Sequence, residues 1–290
     1  MIQEILVYLF SRNDEDLGVR LLLVGDFHGM VPDKLSEIVS SYALDGCLCT
    51  GDLCQVDEIR DIIFKHFRRF REGKRSIARL KDLVPIEVFL SSADSMQCAL
   101  DFLAGLKVPV FLTVGNADYT SQRMEMMPPD VRKPSLEQRV ATVKNVYLLG
   151  KESFDFSGFQ ILGHSPLKMP DFGRNTRAEQ QWKNEVEDLF SKIVNPRRAI
   201  FVTHYPPYGT LDLVDDPGSP LHGEHAGDKF YVGLIRKHQP LVFICGHIHE
   251  QQGKVNIGQT SIINPGYAHD GQAAILTLGE AAVKELDFIC

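Results

Sequence analysis

The sequence has no long hydrophobic segment. No apolar run in its 290 residues approaches the roughly 20 residues that a membrane-spanning helix needs. An apolar stretch at residues 5–10 is short, and it lacks both a basic flank and a small-residue cleavage site, so a secretory signal is not expected. We expect a short helix or strand there. These absences predict a soluble protein without a membrane partner.

A disulfide framework is also missing. The six cysteines show none of the pairing that staples small secreted domains, which predicts a reducing, cytoplasmic environment. Cys47, Cys49 and Cys54 lie close enough together to suggest a thiolate metal site. We favour the alternative that they behave as small apolar residues of a buried strand.

The chain has no general excess of positive charge. Its formal net charge of -7 disfavours a nucleic acid as partner, because such surfaces are normally basic. One local basic run stands out at residues 60–81. Such a run is usually a solvated helix face. The alternatives left open are a rim that recruits an anionic substrate and a local contact to a nucleic-acid backbone.

What the sequence does contain is an ordinary globular composition, with 44% apolar and 24% charged residues. Apolar runs bounded by glycine, aspartate or asparagine predict buried strands at 19–25, 46–50, 108–115, 159–163, 199–203 and 241–246, and alternating runs predict strands at 260–264, 273–278 and 283–288. Helical periodicity predicts helices at 32–42, 57–70, 96–106, 178–194 and 228–238. There is no internal repeat.

This order of elements predicts one α/β domain. Strands that are apolar throughout and alternate with helices indicate a sheet covered by helices. The strands that end the chain indicate a second sheet packed on the first. We therefore expect a single domain over residues 1–290, with insertions at about 57–106 and 118–145. The second insertion is polar, has no strong periodicity and is expected to border the active site.

Polar side chains follow most of the predicted inner strands. Ligands of open α/β sheets bind at the carboxyl ends of the strands, so these residues should converge on one site. The side chains suited to metal binding are Asp26 and His28, Asp52, Asn116 with Asp118, His204, and His247 with His249.

This mixture of ligands fits the hydrolysis of phosphate esters. Two divalent ions roughly 3.5–4 Å apart neutralise phosphoryl oxygens and hold a hydroxide between them, and a shared carboxylate can bridge them. The glycine before Asp52 would let the backbone approach closely. In Asp26-Phe27-His28 and His247-Ile248-His249, strand alternation should turn the first and third side chains the same way. Each element alone is weak evidence for a metal site, since a lone histidine after a strand is usually structural. Five such elements in this order are much stronger evidence.

These residues resemble the ordered motifs of the calcineurin-like metallophosphoesterase superfamily: Asp-x-His, Gly-Asp, Gly-Asn, a lone histidine and Gly-His-x-His. The match spans residues 20 to about 280, and Asn264-Pro265-Gly266 is similar to a turn of small bacterial and archaeal phosphodiesterase-like members. The resemblance implies a four-layer α/β/β/α sandwich of two mixed sheets. It assigns Asp26, His28 and His249 to one metal, Asn116, His204 and His247 to the other, and Asp52 to the bridge. The implied cofactors are two divalent ions, with manganese first and iron, zinc, cobalt or nickel as alternatives.

The sequence departs from the family pattern at Ala117. The family usually has a histidine here, which touches the leaving group or the scissile phosphate. Its loss predicts reduced turnover on poor leaving groups, since general acid catalysis typically contributes about 10²–10⁴-fold. Four other histidines in predicted loops could face the site, namely His164, His222, His225 and His269. Each is more simply interpreted as a surface histidine.

Three functions follow from these motifs. The first is hydrolysis of a phosphomonoester or phosphodiester, with Asp52, Asn116 and His204 as the catalytic residues and a small phosphoester as substrate. The second is a scaffold on the same fold that is weakly active or inactive, which Ala117 favours slightly. The third is a nuclease, which the acidic balance disfavours. The oligomeric state stays open.

Overall fold

The computed structural model describes residues 18–71, 83–125, 127, 129–165 and 177–290. In chain order the strands are β1 (Val19–Val24), β2 (Gly46–Cys49), β3 (Val110–Leu112), β4 (Val146–Leu148), β5 (Phe154–Phe156), β6 (Phe159–Gly163), β7 (Ala199–Val202), β8 (Val242–Ile244), β9 (Gly253–Ile257), β10 (Thr260–Asn264), β11 (Ala273–Leu278) and β12 (Val283–Ile289). The α-helices are α1 (Asp33–Ser40), α2 (Asp57–Arg71), α3 (Ile86–Gly105), α4 (Ser121–Glu125), α5 (Leu136–Val140), α6 (Arg177–Ser191) and α7 (Lys229–His238).

Within these residues the strands form two six-stranded sheets. The first has the order β12-β11-β1-β2-β3-β4 and the second β5-β6-β7-β8-β10-β9. In the first sheet β1 to β4 are parallel, and β11 and β12 join antiparallel at one side. In the second, β6, β7, β8 and β10 are parallel, and β5 and β9 are antiparallel edges. Both sheets are mixed, as expected.

The alternating side chains of β1 show how the layers pack. Leu21 and Leu23 lie in the apolar cluster between the two sheets, together with Ile200 of β7. Leu22 and Val24 point the other way, into a cluster shared with α1, α2, α3 and α5. A third cluster packs the outer face of the second sheet against α6 and α7. The order helix, sheet, sheet, helix confirms the four-layer α/β/β/α sandwich.

The nine predicted strands and five predicted helices are all present; the strands at 159–163, 260–264 and 273–278 have the predicted bounds, and the other elements have shifted ends. Strands β4, β5 and β9 were not predicted. The helix predicted at 96–106 is wrong in extent, because α3 begins ten residues earlier at Ile86. The segment 118–145 is not without regular structure, since it contains α4 and α5. The apolar stretch at 5–10 lies outside the described residues. No helix within them is long and apolar enough to cross a membrane.

Candidate metal centre

The seven side chains predicted as metal ligands all follow strand ends. In the first sheet, Asp26 and His28 follow β1, Asp52 follows β2, and Asn116 follows β3; in the second, His204 follows β7, and His247 and His249 follow β8. Because each group of strands is parallel, their carboxyl ends meet at one edge of the sandwich. The structure therefore brings together loops from both sheets.

The backbone at these positions is left-handed. The φ angles are 56° at Asp26, 45° at His28, 54° at Asp52 and 73° at His247. Positive φ is uncommon for residues other than glycine and costs on the order of 1–3 kcal/mol when the surroundings impose it. The prediction that strand alternation orients Asp26 and His28 is therefore wrong, because neither residue has strand conformation. Both side chains do face one group, but tight turns beyond β1 put them there.

Neighbouring glycines make room for the two central carboxylates. A Cβ atom at Gly115 would overlap Oδ1 of Asp52, and one at Gly246 would overlap Oδ2 of Asp26. Gly51 has a φ of 88°, and a Cβ there would overlap the backbone nitrogen of Gly115. The expected close approach of the backbone at Asp52 is thus present in the structure.

The side chains form two groups that could each hold a metal ion. One group is Asp26, His28 and His249, and the other is Asp52, His204 and His247; within each, the potential ligand atoms lie within 4.8 Å of one another. Asp52 Oδ2 lies 3.4 Å from Nε2 of His204 in its own group and 3.7 Å from Nε2 of His28 in the other. This oxygen therefore faces both groups.

The contacts of His204 indicate that the second group, Asp52, His204 and His247, needs a positive charge at its centre. Its Nδ1 lies 2.9 Å from the carbonyl oxygen of Thr50, and because a carbonyl can only accept, Nδ1 carries a proton and donates it. Its Nε2 lies 2.8 Å from Asn116 Oδ1 and 3.1 Å from His247 Nδ1. These lone-pair atoms and Asp52 Oδ2 converge on one small volume. Such an arrangement is favourable only around a shared proton or a cation.

His28 supports the same conclusion for the first group. Its side chain is 4% exposed, yet neither ring nitrogen has a hydrogen-bond partner among the described residues. Buried polar atoms are rarely left unsatisfied, because the loss of water is costly. An imidazole beside two carboxylates and with no partner is what a divalent metal ion requires. The residues present therefore fit the two ions that the motifs imply.

The protonation states of the metal-free protein also suit cations. Burial lowers the pKa of His28 to about 4 and that of His247 to about 3, so both are neutral lone-pair donors at pH 7. Burial raises the pKa of Asp52, but the charge of His204 lowers it by more. The net pKa therefore lies well below its usual range. Burial lowers the pKa of His204, whereas the Asp52 carboxylate raises it more, to a net value of about 9. His204 thus holds a proton where an ion would bind.

Two residues outside the predicted set hold the loops in place. The carboxylate of Asp118 accepts the backbone N–H groups of Asp52, Leu53 and Gly115 at 3.0, 2.7 and 2.8 Å. Arg123 Nη1 donates to the backbone carbonyls of Asn116 and Ala117, at 3.1 and 2.9 Å. The sequence grouped Asp118 with the side chains suited to metal binding, but in the structure its carboxylate is occupied by these backbone N–H groups. Arg123 carries no sequence signal, since its role depends on where α4 lies.

Ala117 is part of the loop but adds no polar side chain. It is 2% exposed and belongs to the apolar cluster between the first sheet and its helices. Its backbone N–H donates to Asp52 Oδ1 at 2.7 Å. The residue therefore contributes through its main chain, by holding one oxygen of Asp52 and leaving the other to face the two groups.

The four other histidines have different surroundings. His164 is buried, with Nε2 3.4 Å from a carboxylate oxygen of Glu185 on α6, so it does not join the metal groups. His222 is exposed. His225 donates from Nδ1 to Asp212 at 2.7 Å, which makes that pair a feature of the 205–228 loop. His269 is the one of the four that reaches the metal centre, through the ring of Tyr267.

The basic segment begins in α2 and then leaves the described region. Asp57, the first residue of α2, is 3.1 Å from Arg60. The side chains of residues 68–71 and the whole of 72–82 lie outside the described residues. A substrate-recruiting role for this segment stays a prediction.

The sequence of residues 168–288 matches the family model of metallophosphoesterases of the calcineurin superfamily. The UPF0046 protein K07C11.7 of Caenorhabditis elegans is 31% identical over 129 residues, which is 44% of this chain and 40% of that protein. The match thus spans less than half of this relative. The uncharacterized protein MJ1162 of Methanocaldococcus jannaschii is 21% identical over 249 residues, or 85% of this chain and 88% of that protein.

Solved structures share the fold at low identity. The protein TT1561 of Thermus thermophilus has a TM-score of 0.53 and 13% identity, with 93% of this chain and 98% of that chain covered. A dimetal phosphatase from Danio rerio has a TM-score of 0.51 and 13% identity, with 94% of this chain and 99% of that chain covered. The two-sheet architecture described above is therefore one that known structures also adopt.

Proposed function

We propose that this chain belongs to the calcineurin-like metallophosphoesterase superfamily, whose family model matches residues 168–288, and that it hydrolyses phosphomonoesters or phosphodiesters at the paired groups around Asp52. One observation carries the proposal. Asp52 Oδ2 lies 3.7 Å from Nε2 of His28 and 3.4 Å from Nε2 of His204, so a single carboxylate oxygen serves both groups. A shared carboxylate is the arrangement that two-metal hydrolysis uses.

The ligands divide between the two ions as follows. Asp26, His28 and His249 would hold one ion, Asn116, His204 and His247 the other, and Asp52 both. When bound, the ion pair supplies a hydroxide nucleophile and neutralises the charge on the phosphoryl oxygens. Carboxylate, imidazole and amide oxygen suit several divalent metals, and we propose manganese as the first to test.

The residues of the chain orient the site before any substrate arrives. The Nδ1–H of His204, held by Thr50, aims its Nε2 into the second group. The Ala117 N–H holds Oδ1 of Asp52. With its Oδ1 turned toward His204, the amide of Asn116 would place its NH₂ against a phosphoryl oxygen. These contacts fix the geometry in advance, which is where much of the rate enhancement of such sites originates.

Leaving-group protonation is the step that the chain supports least. Position 117 offers no imidazole, and its side chain is buried among apolar residues. We therefore propose substrates whose leaving group needs little help, since a general acid matters most for basic leaving groups.

We propose the cytoplasm as the compartment. All six cysteines are free, and four of them are buried in the core. Burial raises the pKa of Cys47, Cys49 and Cys54, which favours neutral thiols in the metal-free protein.

The test is a phosphoester panel with defined metal content. The protein is stripped with chelator, reloaded with Mn²⁺ and assayed with p-nitrophenyl phosphate and bis(p-nitrophenyl) phosphate, while bound metal is counted in the same samples. Hydrolysis of either ester that appears with the second equivalent of Mn²⁺ supports the proposal. Two bound ions with no hydrolysis of any ester would instead favour a metal-binding scaffold.

A further inference from the structure

The ring of Tyr267 packs on both histidines of the first metal group. It lies flat on His249, with ring centroids 4.0 Å apart and an angle of 6° between the planes. It also meets His28 edge-on, at 5.5 Å and 70°. Tyr267 directly follows the turn Asn264-Pro265-Gly266, so the backbone places its ring against the metal group.

His249 is the more exposed of the two histidines in the first metal group, so its ring is less confined by packing. Its side chain is 24% exposed, against 1% for Asp26 and 4% for His28. Its Nε2 is 3.5 Å from Asp26 Oδ1, and among the described residues no hydrogen bond holds its Nδ1. Ligating histidines are normally oriented by a hydrogen bond from the second ring nitrogen, as Thr50 does for His204. For His249 the structure provides ring contacts instead: the edge contact with His28, at 4.9 Å and 74°, and the closer flat stack on Tyr267.

Tyr267 is itself held firmly. Its backbone N–H donates to Gln272 Oε1 at 2.8 Å. The next two residues bond to the loop that carries Asp26: Ala268 donates to the carbonyl of Gly25 at 3.1 Å, and His269 to that of Asp26 at 3.3 Å. The imidazole of His269 stacks on the outer face of Tyr267, at 5.0 Å and 14°. The rings of His269, Tyr267 and His249 are thus stacked in series, and the series ends at the candidate ligand His249.

The second metal group has no equivalent stack among the described residues. Tyr205 meets His247 at 4.4 Å but at an angle of 64°, which is an edge contact. His204 is fixed through its hydrogen bond to Thr50 instead. A change at Tyr267 should therefore act on one metal position and leave the other alone.

We propose that Tyr267 is a positioning residue for His249, which raises the affinity of the first group for its metal ion by restricting rotation of the imidazole. This inference rests on the ligand assignment of the proposed function. Loss of a residue that orients a ligand typically weakens metal binding by about 10–100-fold. Stacking is weaker than a charged hydrogen bond, so we expect about 10-fold.

The experiment is a calorimetric titration of Mn²⁺ into chelator-treated protein. Wild type should bind two ions. Tyr267→Leu, which keeps an apolar side chain but not a flat face, should bind one ion about 10-fold more weakly and the other unchanged. Tyr267→Phe keeps the ring and should restore the wild-type affinity. With Co²⁺ as probe, the visible absorption of one of the two ions should change in Tyr267→Leu only.

Tyr208→Leu is the matched control. Tyr208 is an exposed tyrosine whose ring meets that of His225 at 5.4 Å and, among the described residues, makes no ring contact with a candidate ligand, so its loss should leave both affinities unchanged. Wild type that binds no ions would refute the proposed function itself. Wild type and Tyr267→Leu with the same two affinities would overturn the role of Tyr267 alone. A metal-free Tyr267→Leu that melts well below wild type and loses both ions equally would also overturn it, in favour of a general structural role.

Discussion

The carboxylate of Asp118 accepts the backbone N–H of Asp52 at 3.0 Å, so one acid of the site holds the main chain of another. The same carboxylate accepts the N–H groups of Leu53 and Gly115. Asp118 therefore joins the loop after β2 to the loop after β3. Burial and, after it, the nearby Asp52 charge raise the pKa of Asp118 to about 7, although the backbone N–H groups and the charge of His204 act in the opposite direction.

Asp118→Asn should weaken both the fold and the metal centre. An amide has one acceptor oxygen, so its NH₂ would face a backbone N–H that loses its partner. An unsatisfied buried donor costs about 1–3 kcal/mol. Urea unfolding of the metal-free protein measures this loss, and a Mn²⁺ titration measures the effect on binding. Asp130→Asn, at an exposed position of the same segment, should change neither quantity.

Asp52→Asn should remove most bound metal and nearly all hydrolysis. The substitution keeps the size of the side chain but removes the charge that both ions would share. Metal content by atomic emission and turnover of the better chromogenic ester are the two measurements. Asp188→Asn, on the exposed face of α6, is the control and should bind and turn over as wild type does. Two ions per chain with normal turnover in Asp52→Asn would exclude the bridging role.

Gly115→Ala tests how tightly the site is built. The added methyl group would overlap Oδ1 of Asp52, so the carboxylate must shift, and we expect Mn²⁺ affinity to fall by at least about 10-fold, as for other losses of ligand support. Gly105→Ala adds the same methyl group at the end of α3, where nothing lies within 4 Å. That variant should bind metal normally and be equally or slightly more stable. Equal affinities for the two variants would show that the Asp52 loop tolerates movement.

Metal binding should release a proton from His204. The pKa of this imidazole is about 9 without metal, so it is protonated at pH 8, and a ligating imidazole must give up that proton. At pH 8 most Asp118 is already ionised, given its pKa of about 7, and contributes little. Titration of Mn²⁺ in buffers of different ionisation enthalpy should therefore show at least about one proton released per ion pair at pH 8, with the share from His204 falling above pH 9. Identical heats in all buffers at pH 8 would contradict this.

The missed parts of the fold have physical reasons. Strands β4 and β5 are three residues each, and neither belongs to an apolar run as long as the runs around the equally short β3 and β8. The first half of α3 places Ser92 on its buried face, where the hydroxyl bonds to the carbonyl of Gln55, so the apolar stripe is interrupted. Helix α5 did carry a signal that could have found it. Ser135 and Gln138 form a capping box, whose Ser-x-x-Gln spacing marks a helix start.

The residues of the candidate site also fall into those that the sequence could predict and those that it could not. Residues that end long apolar strands, such as Asp52 and His204, were predictable because parallel strands bring their ends together. Their assignment as ligands stays a prediction that the geometry supports. Tyr267 and Arg123 were not predictable, since ring stacking and a carbonyl contact depend on how distant loops meet. The left-handed turn at Asp26 was equally hidden, because only the folded sheet imposes it.

Each metal group draws side chains from both sheets. Asp26 and His28 come from the first sheet and His249 from the second, while Asp52 faces His204 and His247 across the same divide. A bound ion would then act as a reversible cross-link between the two sheets. Acid or a chelator would remove the ion and with it the cross-link. With both cross-links open, the sheets are fastened at this edge by loop contacts such as the bond from the His247 N–H to the Asp26 carboxylate. Metal binding would therefore stabilise the contact between the two sheets at this edge as well as supply the chemistry there.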